Sequence, residues 1–216
     1  MQNFCQESGR AGRDGRYAES ILFYRFADIF KLTSMNSSNG LKNIYDVVDY
    51  SIGGHRCRRH LLESHFGDAI NEGGHYCEQC DSERLGGSSL DITEHCLQLF
   101  KIIDEAAKSN VALTGKQLID VWYRGVAPNF SMKPPAKPIL DRPLAEQLVA
   151  FLLIRNYLKE VFRRTKYTTH SYIRKGDRCP SRDAPIIFDG RPLPYELPKM
   201  TFDFWNDDEA LVESVD

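Results

Sequence analysis

The chain has 216 residues, 42% of them hydrophobic and 27% charged, enough for one large globular domain or two to three small ones. Its net charge of −2 excludes a uniformly basic surface, so any face that binds nucleic acid must be local. No apolar run approaches the roughly 18 residues of a membrane span and no secretory leader opens the sequence, so no membrane partner is expected. Six cysteines, clustered and without such a leader, favour metal ligation or free thiols over disulfides.

The first distinctive stretch is QESGRAGRDG, residues 6–15. Its spacing predicts Gln6, Arg10 and Arg13 around a helical turn, with both arginines on one side, while Gly9, Gly12 and Gly15 allow close backbone approach. Guanidinium groups fork onto phosphate oxygens and stabilise charge on a transferring phosphoryl group; a solvated basic turn is the alternative. The apolar run ESILFYRFADIF follows and reads as a strand leading into a helix.

Residues 41–85 hold the next signal. Cys57, Cys77 and Cys80 follow C-x19-C-x2-C. The Cys77/Cys80 knuckle points two thiolates at one tetrahedral ion, and Cys57 falls on a predicted helix, 57–66, beside a helix at 44–50. A structural Zn2+ needs a fourth ligand. His75, preceded by Gly73 and Gly74, is the best candidate, with Asp81 and His65 weaker ones. Arg56, Arg58, Arg59 and His60 crowd one turn and serve either DNA phosphates or neighbouring acids. Cys5, Cys96 and Cys179 read as ordinary buried or free thiols.

GGSS at 86–89 reads as a linker. Beyond it, Ile92, Cys96, Leu99, Phe100 and Ile103 mark one face of a helix over 92–107. Thr114 caps a second, carrying Leu118, Ile119 and Trp122. A third begins at Pro143 and runs to 157, burying Leu144, Leu148, Phe151 and Leu152, with Leu158 beyond it. YLKEVF and HSYIRKG then flank RRTKYTT as the arms and tip of a β-hairpin. The cations concentrate there: Arg163, Arg164, Lys166, Arg174 and Lys175. Three helices and a hairpin make a winged helix. The end of the chain is acidic and without period, so 177–216 is expected to be poorly ordered.

QESGRAGRDG resembles motif VI of superfamily 2 helicases in the form carried by RecQ-family DNA helicases. CRRHLLESHFGD resembles the helix of that family's zinc-binding subdomain, and ITEHC, LIDVW and YLKE are similar to its short animal members. The resemblance spans about residues 2–175, in the family's order. It implies a mixed α/β and α+β fold. Residues 1–40 would be the end of a second RecA-like lobe, 41–85 a helical zinc-binding platform, and 91–176 a winged helix.

By the same resemblance Arg13 is the arginine finger, Arg10 supports it and Gln6 couples nucleotide to DNA. Tyr167 is the aromatic hairpin tip that stacks on the last base pair of a fork; Tyr172 or Phe162 pointing outward instead is the competing reading. The implied activity is ATP-dependent 3′-to-5′ unwinding of duplex or branched DNA in nuclear repair and recombination. GxxxxGK(S/T) is absent, so the chain reads as the C-terminal part of a helicase, and ATP and Mg2+ are expected only in the complete enzyme. A motor-less DNA-binding module and a protein-interaction module are the alternatives, and a homo-oligomer is compatible with each.

Overall fold

The computed structural model describes residues 1–16, 18, 20–36, 38–52, 57–67, 89–136 and 138–188. Four helices come first: α1 (Gln2–Ser8), α2 (Phe26–Met35), α3 (Ser38–Ile52) and α4 (Arg58–Phe66). After β1 (Leu90–Asp91) come α5 (Thr93–Lys108) and α6 (Gly115–Arg124). The short strands β2 (Val126–Ala127) and β3 (Phe130–Ser131) lead to α7 (Arg142–Ile154), and β4 (Leu158–Arg164), β5 (Thr169–Lys175) and β6 (Ile187–Phe188) complete the order. The class is mixed: helices with three two-stranded antiparallel sheets, β1–β6, β2–β3 and β4–β5.

Local chemistry sets the helix ends. The Thr114 hydroxyl accepts from the Gln117 backbone N–H while the Gln117 carboxamide accepts from the Thr114 N–H, closing a capping box on α6. Gly125 ends that helix in the left-handed region, φ 75°. Asp141 caps α7 by accepting the Leu144 N–H at 3.0 Å, so α7 starts one residue before Pro143. It stops at Ile154 rather than 157, because Asn156 turns at φ 59° to send Leu158 into β4.

One apolar core joins these pieces. Leu99, Ile102, Leu118, Ile119, Trp122, Leu148, Leu152, Leu158 and Ile173 are fully buried, and Phe26, Ile29, Val48 and Ile52 of α2 and α3 belong to the same cluster. Trp122 keeps its indole N–H satisfied by the Gln98 carboxamide oxygen at 2.9 Å. Ala145 and every residue from Gln147 to Leu153 are buried, so α7 presents no broad face to solvent.

Three expectations are corrected. Residues 20–25 form no strand, and Ile21 and Phe23 lie exposed, because no described segment offers them a hydrogen-bonding edge. The helix of residues 44–50 is longer, covering Ser38–Ile52. The start of the acidic tail is part of the core: β6 pairs with β1, placing Leu90 opposite Phe188. Ile186 and Phe188 are buried there. The Ile186 N–H donates to Thr93 Oγ1 at 2.8 Å, and its carbonyl accepts from the Ile92 N–H at 2.8 Å. Residues 189–216 lie outside the described residues.

Candidate nucleic-acid interface

The β4–β5 hairpin is in full register from Leu158↔Lys175 to Arg164↔Thr169. Side chains opposite one another share a face. Lys159, Arg174, Val161, Tyr172, Arg163 and His170 therefore form one face, and Leu158, Glu160, Ile173, Phe162 and Ser171 the other. The second face carries the buried residues Leu158, Ser171 and Ile173 and packs inward.

Two threonines close the tip. The Thr165 N–H donates to the Thr168 carbonyl at 2.7 Å, the Thr165 hydroxyl donates to the same carbonyl at 2.9 Å, and the Thr168 N–H donates to Thr165 Oγ1 at 3.1 Å. Between them Lys166 and Tyr167 project into solvent. Tyr167 is 85% exposed, and the Lys166 ammonium lies 5.6 Å from its ring centroid. Phe162 and Tyr172 are only partly exposed, so the outward aromatic at the tip is Tyr167.

The predicted cations differ in what they touch. Arg163, Arg164, Lys166 and Arg174 form no ion pair among the described residues. Lys175 is engaged, bonding Asp104 at 2.5 Å and lying over the Phe100 ring at 5.1 Å. Arg58 stacks on Tyr50 at 5.3 Å, whereas Arg59 is exposed.

At the other end of the chain, α1 closes at Ser8, so only Gln6 of its trio is helical. Gly12 and Gly15 adopt φ 69° and 75° and carry Arg10 and Arg13 on exposed turns instead of a continuing helix. Arg13 Nε donates to the Gly9 carbonyl at 3.4 Å. Phe4 meets Tyr50 edge-on at 5.1 Å, docking α1 against α3.

The sulfur-rich site is seen through one residue. Cys57 is a buried thiol at the N-cap of α4, the helix end whose dipole favours negative charge. The helix therefore begins one residue later than the expected 57–66. His75, Cys77, Cys80 and Asp81 lie outside the described residues, and no group of three metal-ligating side chains occurs among those described. His65 bonds Asp46 through Nδ1 at 2.8 Å, tying α4 to α3. Among the remaining cysteines, Cys96 is fully buried, with its thiol pushed up to about 12 chiefly by desolvation, while Cys179 is exposed and Cys5 intermediate.

The sequence reading missed Glu160. On the inward face of β4 its carboxylate accepts from Tyr45 Oη of α3 at 2.5 Å, from Thr33 Oγ1 of α2 at 2.8 Å, and from the Ser171 hydroxyl. Burial, and then the nearby Glu160 charge, hold the Tyr45 hydroxyl well above its ordinary range, so it stays a neutral donor. The signal lay in the alternation Leu158–Glu160–Phe162, which sets an acid in an inward register.

The RecQ zinc-binding family model matches residues 25–83. ATP-dependent DNA helicase Q1 of Rattus norvegicus is 38% identical over 186 residues, covering 83% of this chain and 29% of the relative. The putative ATP-dependent DNA helicase Q1 of Caenorhabditis elegans is 34% identical over 193 residues, 82% of this chain and 29% of the relative. The RecQ-like DNA helicase blm-1 of the same organism is 28% identical over 142 residues, 58% of this chain and 14% of the relative. The chain thus spans less than a third of the length of the curated relatives it matches. On these matches the chain is similar to RecQ-family helicases over a portion of their length that includes the zinc-binding region.

Proposed function

We propose that this chain is the C-terminal, strand-separating portion of an ATP-dependent 3′-to-5′ DNA helicase, acting on forked or branched DNA in nuclear repair and recombination. Residues 91–176 would be a winged helix with the β4–β5 hairpin as its wing. The observation that carries the reading is Tyr167, exposed at the tip and flanked by the exposed cations Arg163, Arg164 and Lys166, which form no ion pair among the described residues. Base–aromatic stacking contributes roughly 1–3 kcal/mol per base and ignores sequence, as a wedge at a fork requires. The flanking guanidinium and ammonium groups would hold the parted backbones.

The burial of α7 supports the hairpin over a groove-reading helix. A recognition helix needs an exposed face for base edges, and residues 147–153 have none. Binding led by the hairpin is then shape- and charge-directed.

Cys57, His75, Cys77 and Cys80 would hold Zn2+. Four protein ligands leave no open position, so the ion would brace the helices rather than react. Gln6, Arg10 and Arg13 would act on ATP and its Mg2+ only in a protein that also supplies a phosphate-binding loop. No helix among the described residues is long and apolar enough to cross a membrane.

Fluorescence anisotropy with forked, blunt and single-stranded DNA tests the proposal on this chain. Forks should bind best, affinity should fall steeply with salt, and Tyr167→Ala should remove most of the fork preference. Replacing Arg163 and Arg164 by Ala should weaken binding to all three DNAs and flatten the salt dependence by about one charge per arginine. Equal, salt-insensitive binding to all three DNAs would refute it.

A further inference from the structure

We propose that Glu160 is the positioning residue of the hairpin: its carboxylate collects hydroxyls from α2, α3 and β5 and fixes the angle at which Tyr167 is presented. The inference rests on the wedge reading of the hairpin for its functional consequence, but the lock itself is independent of that reading.

The argument starts from the donor set. An ionised carboxylate only accepts, and it offers about four lone-pair directions. Here three are taken by hydroxyl donors from three separate elements, and none by a cation among the described residues. Hydroxyl-to-carboxylate bonds are short and strong, and they are directional where a lysine contact is not. Thr33 is buried and Tyr45 half-buried, so water competes poorly at this point.

The position matters as much as the chemistry. A two-stranded hairpin is marginal by itself and needs packing to be held. Apolar contact at its base, Leu158 and Ile173, resists separation but leaves rotation soft, because the hydrophobic effect is non-directional. Glu160 lies just beyond Leu158 on the same face, and the tip lies past Arg164. A small rocking at Glu160 is magnified at Tyr167. Three directional bonds to α2, α3 and the partner strand suppress that rocking.

Tyr50, on the same helix α3 as Tyr45, contacts Phe4 of α1 and carries Arg58 of α4. Helix α3 therefore touches the arginine loop's helix, the Cys57 helix and the hairpin. The hairpin is referenced to this shared helix, not only to the core beneath it.

The test uses this chain with spin-labelled keto amino acids at Asn43, exposed on α3, and Lys166 at the tip, which spares the cysteines. Pulsed electron-resonance distances in the parent should form one narrow distribution. Glu160→Ala should broaden it. Tyr45→Phe, which removes one donor without changing packing, should broaden it less while leaving the thermal midpoint near the parent's. Glu160→Gln, which keeps one acceptor oxygen, should recover much of the narrow form. In unlabelled protein, Glu160→Ala should lower the fork-over-duplex preference about fivefold, the weaker end of one lost base stack, with the salt slope unchanged.

Narrow distributions in both Glu160→Ala and Tyr45→Phe would overturn the lock. If instead the distances broaden while the parent itself shows no fork preference, the lock stands and the wedge reading fails.

Discussion

The Phe30 ring of α2 occupies the space that a side chain on Gly115 would need: a Cβ built on Gly115 falls 2.1 Å from Phe30 Cζ. This close approach joins α2 to the first turn of α6, directly after the Thr114 capping box. Gly115→Ala should therefore destabilise, although alanine is the better helix former in the abstract. Overpacking of this kind costs about 1–3 kcal/mol. Urea unfolding should show a lower midpoint, with Lys116→Ala, one residue on and exposed, as the near-neutral control.

The segment ending at Phe188 should behave as core and not as a removable tail. Phe188 is buried and packs on Phe151 with ring centroids 5.2 Å apart. Phe188→Ala should cost about 3–5 kcal/mol in chemical denaturation. Truncation after residue 176 should abolish cooperative unfolding, because it also uncovers Ile92 and strands the Thr93 hydroxyl acceptor.

Much of this was legible from periodicity. The apolar faces of α5 and α6 and the Thr114 cap are all written in local spacing, as is the hairpin with Tyr167 at its tip. The clasp at Ile186–Phe188 was not, because its signal is three apolar residues in a proline-rich stretch, and pairing with residues 90–91 across the whole domain leaves no local trace. The strand expected in ESILFYRF failed for the opposite reason: β propensity was present, but a strand exists only with a neighbour. Glu160 escaped because a charge in YLKE reads as solvent-facing until its hydroxyl partners from α2 and α3 are brought to it. The Cys57 reading started the helix at residue 57 by apolar spacing, whereas it begins one residue later, with Cys57 as its N-cap.

Cys57→Ser should lower bound zinc per chain, measured by metal analysis after dialysis, and should loosen α4 by hydrogen exchange. The hairpin and α5–α7 should keep their exchange protection, since Cys57 is not part of their apolar cluster. Full zinc content in the serine variant would remove Cys57 from the ligand set.

His95 gives a pH signature. Burial holds its imidazole below the ordinary value of 6.5, outweighing the opposite pull of Asp91 and Glu94. The unfolded chain therefore takes up a proton before the folded one as pH falls. Its contribution to stability is complete above pH 6.5 and is lost progressively below it. Between pH 7.5 and pH 5 the parent should lose more stability than His95→Phe, which keeps a ring against Trp122 and cannot titrate. Parallel pH profiles for the two proteins would show that His95 does not report on folding.

Leu90 and Phe188 face each other across β1 and β6. The backbone therefore enters and leaves the hairpin-bearing unit through a single doorway. Sequence inserted before residue 89 or joined after 188 would not have to thread the fold or lengthen any connection within it. The same adjacency would let a short tether join these two positions and new termini be opened elsewhere in the unit. In architectural terms, β1 and β6 form a clasp that closes the unit at one point, while α2 and α3 stay built into its body.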